Sequence, residues 1–164
     1  MKKIFFLVLA SYAFYSCSEQ AGTKDTAGSF NMDSVKAAIN ANNKTFSESL
    51  KKGDSLACIA SYTTDGCVMP TGTPKMCGVK GIGDFYHWTQ QMGMGELILT
   101  VTEVVGGKEL VSEEGMYEVV GKDGKSMEKG KYIVTWKQEN GTWKKYRDIW
   151  NSDAPPPPPM PAKK

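Results

Sequence analysis

The chain has 164 residues, 40% of them hydrophobic and 10% aromatic, and carries 20 Lys plus Arg against 18 Asp plus Glu. That length holds one core of ordinary size, and that composition excludes a disordered chain. Lys2, Lys3, Lys163 and Lys164 sit at the two ends, while residues 33–153 balance 15 Lys plus Arg against 16 Asp plus Glu with no cluster of one sign, which excludes nucleic acid as a partner.

Met1-Lys2-Lys3 and the apolar run Ile4 to Tyr15 have the charged start and short hydrophobic stretch of a secretory signal over 1–16, too short to cross a bilayer as a mature helix. Ser16-Cys17 resembles the end of a bacterial lipobox, in which a small residue precedes the cysteine that is diacylated and becomes N-terminal. Phe14 and Tyr15 depart from its usual aliphatic and small positions. Lipidation at Cys17 would hold the protein on the membrane at ~0.8 kcal/mol per buried CH₂, with 17–32 as a polar tether. The alternative is a plain signal peptide cut nearby. Either way the expected location is the bacterial cell envelope, periplasmic or at the outer membrane.

Residues 33–153 form the expected domain. Asp33 can cap a helix whose apolar positions Val35, Ile39, Phe46 and Leu50 recur near every 3.6 residues, with Ala38 and Ala41 completing the inner surface. Gly53 suits the end of that helix, and Asp54 caps a second, short helix expected to carry Leu56, Ile59, Ala60 and Tyr62. Asp65 to Pro70 reads as a short strand, and Thr71 to Pro74 turns the chain back toward Met76-Cys77-Gly78. A third helix places Ile82, Phe85, Tyr86 and Thr89 on one side. Strands follow around Leu97–Val105, Leu110–Val120, Met127–Gln138 and Trp143–Ser152, joined at Gly106-Gly107, Asp123-Gly124 and Asn140-Gly141. Helices first and antiparallel strands after imply an α+β fold with helices on one sheet face. Residues 154–164, with five consecutive prolines, are expected to be an extended tail serving as a solvated spacer, the alternative being a ligand for a proline-binding domain.

If Cys17 is acylated, Cys58, Cys67 and Cys77 remain, so at most one internal bridge can form. Cys67 and Cys77 flank the Pro/Gly turn and are the candidate pair, the alternative being two small buried thiols. No metal site is expected, because there is no CxxC and His87 is the only histidine. No cofactor is expected either, since nucleophile elbow, P-loop and dinucleotide fingerprint are all missing.

Helix, short helix, short hairpin, helix and long meander is the element order of the nuclear transport factor 2-like cone. Leu50-Lys51-Lys52-Gly53-Asp54, Tyr62 through Pro70, Gly78-Val79-Lys80-Gly81-Ile82, Gly130 through Lys137 and Gly141 through Asp153 resemble its SnoaL-like and ketosteroid-isomerase-like branch. The resemblance implies a curved antiparallel sheet with three helices packed on its concave face and a pocket between them. It leaves activity open, because this fold hosts isomerases, cyclases, dehydratases, binding proteins and oligomerisation modules.

A ketosteroid isomerase pairs a carboxylate base with a tyrosine and a protonated carboxyl as oxyanion partners, and that pattern directs attention to Tyr62, Asp65, Tyr117, Tyr132 and Asp148. The isomerase's own Tyr/Asp/Asp set has no matching motif positions here. Catalytic candidates are Asp148, Asp65 and Tyr62, with Asp148 expected to have a raised pKa in its aromatic strand. The competing roles are a pairing of Asp148 with Lys131 or a backbone amide, and an Asx-turn for Asp65. Met69, Trp88, Tyr117, Tyr132, Trp136 and Trp150, with Trp143, are the candidate cavity lining, the competing reading being plain core. Strict alternation puts Tyr146, Asp148 and Trp150 on one face of the last strand, and Trp143, Arg147, Ile149 and Asn151 on the other. Both faces then need cover, one from helices and one from a second copy. His87 falls opposite the apolar side of its helix, which points to solvent or a dimer surface, a chemical role being the alternative. The function expected is binding of a small apolar or aromatic molecule in the cone. The alternatives are a cofactor-independent isomerase, cyclase or dehydratase, and a dimerising interaction module of the envelope.

Overall fold

The computed structural model describes residues 30–155. The signal segment, Cys17, most of the tether and the tail beyond Pro155 lie outside the described residues. The elements are α1 (Met32–Lys52), α2 (Ser55–Ala60), β1 (Tyr62–Met69), β2 (Met76–Cys77), α3 (Gly78–Gln91), β3 (Met94–Gly106), β4 (Val111–Gly121), β5 (Ser126–Glu139) and β6 (Thr142–Ser152).

Asn31, not Asp33, caps α1 by accepting the Ser34 amide at 2.9 Å, which leaves Asp33 in the first turn, where its charge faces the positive end of the helix dipole. The helix stops at Gly53, whose φ of 73° lets its amide and that of Asp54 close onto Leu50 and Ser49. The buried stripe is Val35, Ile39, Asn43, Phe46, Ser49 and Leu50. Ala38 and Ala41, expected inside, face solvent, and the polar Asn43 takes the inner position one turn beyond Ile39. Asp54 caps α2 through the Ala57 amide at 3.0 Å. That helix buries only Cys58, leaves Leu56 exposed, and ends before Tyr62, which begins β1 instead of completing a helix.

All six strands form one sheet in the order β2-β1-β6-β5-β4-β3. Every neighbouring pair is antiparallel except β1 and β6, which run parallel: after β1 the chain passes through β2 and α3 to the far edge at β3 and returns by three hairpins, so β6 arrives beside β1 in the same direction. Asn140 and Gly141, with φ of 53° and 76°, make the tight two-residue turn between β5 and β6. Cys67 and Cys77 are paired across β1 and β2 and joined by a disulfide.

Strand alternation makes one sheet face apolar. Val111, Tyr117, Val119, Tyr132, Val134, Trp136 and Trp143 pack with Val35 and Ile39 at one end, while Phe46, Leu50, Cys58, Tyr62, Val68, Ile82, Phe85 and Tyr86 form a second cluster at the other. The four α3 residues expected on its inner side, Ile82, Phe85, Tyr86 and Thr89, are the four it buries. His87 is exposed, its ring beside Gln91. The result is a curved sheet wrapped around helices on one face, the α+β cone expected.

Candidate functional site

Between the two core clusters the cone holds a cavity of about 750 Å³, open to solvent on one side, walled by β3 to β6 on the sheet side and by α1 and α3 on the other. Its apolar wall includes Phe46, Leu50, Phe85, Leu97, Leu99 and Val134, and Trp88, more than half exposed, stands at its mouth. Two tyrosines of the cavity wall, Tyr117 and Tyr132, pack reciprocally on glycines. Tyr117 pairs with Gly130 across β4 and β5, and Tyr132 pairs with Gly115. A Cβ on Gly115 would come within 2.6 Å of the Tyr132 ring, so the missing side chain is what lets the ring lie against the sheet.

Polar groups gather at the inner end. Tyr62 donates to Asp148 Oδ2 at 2.6 Å, which commits its hydrogen there, so Tyr86 is the donor in the 2.6 Å bond between the two tyrosine hydroxyls. The relay therefore runs Tyr86 to Tyr62 to Asp148. Tyr62 is the only side-chain hydrogen-bond partner of Asp148 among the described residues, and Asp148 itself lines the cavity, so Oδ1 is open to a bound molecule. Burial pushes the Asp148 carboxyl up to about 6, against the opposing pull of the Tyr62 hydroxyl and the Lys145 ammonium. Burial also raises the Tyr62 and Tyr86 hydroxyls well above the usual phenol value, and the Asp148 charge adds to both.

Beside this relay lie two buried ionisable side chains. Glu113 is fully buried and accepts hydrogen bonds from Asn43 at 2.7 Å, Tyr132 at 2.6 Å and the Trp136 indole at 2.8 Å. Lys145, 2% exposed, reaches Asn42 Oδ1 at 3.2 Å with its ammonium 3.7 Å from the centre of the Phe46 ring. Desolvation lowers the Lys145 amine to about 8, with the Asp148 and Glu113 charges pulling the other way.

A break in the strand rhythm creates this arrangement. Thr135 pairs with Arg147 but Trp136 with Lys145, so Tyr146 is an extra residue on β6. Trp143 and Lys145 consequently share the inner face with Asp148 and Trp150. Tyr146 turns outward, where Lys137 and Arg147 stand over its ring at 3.6 and 3.5 Å. The strict alternation read from the sequence had placed Trp143 and Tyr146 on the wrong faces.

The structure thus brings Asp148, Tyr62, Tyr117, Tyr132, Trp88 and Trp150 to or next to the cavity. It separates the rest. Asp65 is exposed, accepts from Thr63 at 2.9 Å and is remote from the cavity wall, because Gly66 and the irregular register of β1 turn it outward. Trp136 is sealed in the core beneath Lys145, and Met69 borders a different depression, on the outer face with Met116, Ile133 and Ile149. Asp148 does not pair with Lys131, which instead meets Asp153 at 2.7 Å. Sequence reasoning missed Lys145, Tyr86, Glu113 and Asn43. Glu113 and Asn43 were readable, since one alternates with Val111 and Tyr117 and the other falls on the helical stripe. Lys145 was hidden by the bulge.

No family model matches the sequence, and no curated protein matches it. Solved structures do. A ketosteroid isomerase-like protein from Erwinia carotovora atroseptica superposes with a TM-score of 0.61 at 21% identity, over 73% of this chain and 96% of that one. An NTF2-like protein with a cystatin-like fold from Novosphingobium aromaticivorans gives 0.65 at 13% identity, over 73% and 82%. A protein of unknown function from Mycobacterium tuberculosis gives 0.64 at 13%, over 74% and 73%. At these identities the likeness concerns architecture: the chain has the nuclear transport factor 2-like fold.

Proposed function

We propose that this chain is an exported pocket protein that holds a small apolar or aromatic molecule in its cone, with the molecule's one polar group against Asp148, Tyr86 and Lys145. The observation that carries the reading is the cavity of about 750 Å³, large enough for a two- or three-ring compound and left unfilled by the protein's own side chains. A core built only for stability would close such a space, because each unfilled volume forfeits dispersion contacts. The Cys67–Cys77 disulfide supports an oxidising location and so an exported protein. Native mass spectrometry of the protein purified from an envelope fraction tests this. A co-purifying compound of defined mass is expected, and an empty protein that also fails to bind naphthalene-sized probes would refute it.

A second reading, a cofactor-independent isomerase, cyclase or dehydratase, is favoured by one specific observation. Asp148 combines an open Oδ1, a carboxyl lifted to about 6 and a tyrosine relay on Oδ2, the attributes of a base that takes a proton near neutral pH. Deuterium exchange at the α-carbon of a bound cyclic ketone, lost in Asp148→Asn, is the expected sign of it.

A further inference from the structure

Lys145 is the group in this site that core packing does not require. A lysine in a strand of this kind ordinarily carries its ammonium to water along its own stem. This one does not, because the bulge at Tyr146 turns it inward under α1. Its ammonium has no carboxylate within ion-pairing distance among the described residues, and its single hydrogen bond goes to the neutral amide oxygen of Asn42. Around it stand the faces of Phe46, Trp136 and Tyr62, at 3.7, 5.2 and 5.7 Å from their ring centres. Aromatic faces tolerate a cation at modest energy but do not replace an ion pair. The amine is therefore held in a place that makes its neutral form accessible, and it lines the same cavity as Tyr86 and Asp148.

We propose that Lys145 is a carbonyl-capturing amine, condensing through Nζ with an apolar or aromatic aldehyde or ketone bound in the cavity to form a Schiff base. The neutral amine adds its lone pair to the carbonyl carbon, forming a C–N bond, and a proton passes from nitrogen to oxygen to give the carbinolamine. The nitrogen lone pair then forms the C=N bond as the C–O bond breaks, the hydroxyl taking a proton from Asp148 and leaving as water, and the iminium so formed returns its N–H proton to Asp148 to give the imine. No oxidant, reductant or second substrate enters. Asp148, open at Oδ1 and titrating near 6, is placed to deliver and recover these protons, with Tyr86 and Tyr62 behind it. An amine lowered to about 8 supplies its neutral form readily at neutral pH, whereas an ordinary lysine is neutral to only about one part in a thousand there. The surrounding ring faces that tolerate the ammonium also suit the cationic iminium.

This inference rests on the reading of the cavity as a ligand site, and its test separates the two. The full chain is incubated at about pH 7.5 with 2-naphthaldehyde and sodium cyanoborohydride, which reduces an imine to a stable naphthylmethyl-lysine, and the labelled residues are mapped by peptide mass spectrometry. In parallel, 2-methylnaphthalene, the same shape without a carbonyl, is titrated against tryptophan fluorescence, because Trp88 and Trp150 line the cavity. Lys145 is expected to label at least about tenfold faster than surface lysines such as Lys36 and Lys44. Its rate should rise through about pH 8, and 2-methylnaphthalene should suppress it. Lys145→Arg, which keeps the cation and removes the nucleophile, should leave only the slow surface labelling, and the site map on the unaltered protein carries the test whatever that variant does to probe binding. Uniform labelling of all lysines with intact 2-methylnaphthalene binding would overturn the Schiff-base assignment and leave the pocket reading standing. Absence of 2-methylnaphthalene binding would overturn both.

Discussion

Two side chains with displaced ionisation constrain the thermodynamics of the site. Asp148 titrates at 3.8 when exposed and about 6 in the fold, so the folded state holds its proton more tightly between those values. Stability from this group is complete below about pH 4 and is lost as pH rises through about 6, a cost of ~3 kcal/mol at neutral pH before relaxation. Lys145 behaves inversely. Its burial penalty is in force below about pH 8 and is relieved as pH rises toward 10.5. Asp148→Asn should therefore flatten the decline of the urea midpoint between pH 4 and 6 and raise the midpoint at pH 7. Because the Lys145 ammonium holds the Asp148 carboxyl down, Lys145→Met should move the Asp148 titration above about 6, which carbon-detected NMR of the carboxyl would register. Glu113 differs from both in its hydrogen bonding, with three donors on its two oxygens.

At the level of elements, the glycine–tyrosine pairs and the short disulfide hairpin set the cavity's shape. Gly115→Val would drive a side chain into the Tyr132 ring and break its 2.6 Å bond to Glu113. A loss of ~2–4 kcal/mol is expected in chemical denaturation, together with weakened probe binding, because a buried carboxylate loses one of its donors. Reducing the Cys67–Cys77 bridge frees the loop whose Pro70 and Thr71 border the cavity, and should cost about 2–3 kcal/mol on the chain-entropy account. These same elements mark the limit of what the sequence disclosed. Helix positions such as Ile82, Phe85, Tyr86 and Thr89 repeat at 3.6 and were legible, as were the hairpin turns and the cone resemblance carried by the strand strings. Tyr62 was named as a site residue but assigned to the second helix, because its place in β1 is set by pairing with Lys145 on β6, more than eighty residues away, which no local pattern carries. Nor was the inward turn of Lys145 legible, since a bulge depends on the pairing of two strands and leaves the one-dimensional alternation intact. Asp148 could be named from its aromatic neighbours, but the Tyr86–Tyr62 relay that gives it chemistry is a contact between elements.

For the whole molecule, the remaining question is what covers the other side of the sheet. The inner face is closed by helices, whereas Ile98, Met116, Ile133 and Ile149 project from the outer face and are exposed. Ile133 and Ile149 are direct cross-strand neighbours, and Lys131 and Asn151 border them on β5 and β6. An apolar patch with a polar rim is the kind of surface a two-fold contact uses, the same face serving both subunits. We propose that a second copy of the chain covers it, which also keeps two cavities facing away from the contact. If Cys17 is acylated, a dimer would present two anchors, and two acyl signals hold a membrane far longer than one. Sedimentation of residues 30–164 should therefore give a dimer that Ile133→Lys combined with Ile149→Lys converts to a monomer. In that monomer the 2-methylnaphthalene affinity should be unchanged, because the substituted residues lie on the face opposite the cavity. A wild-type monomer at high concentration would leave the outer face to some other partner, and a dimer that survives both lysines would place the contact elsewhere on the cone.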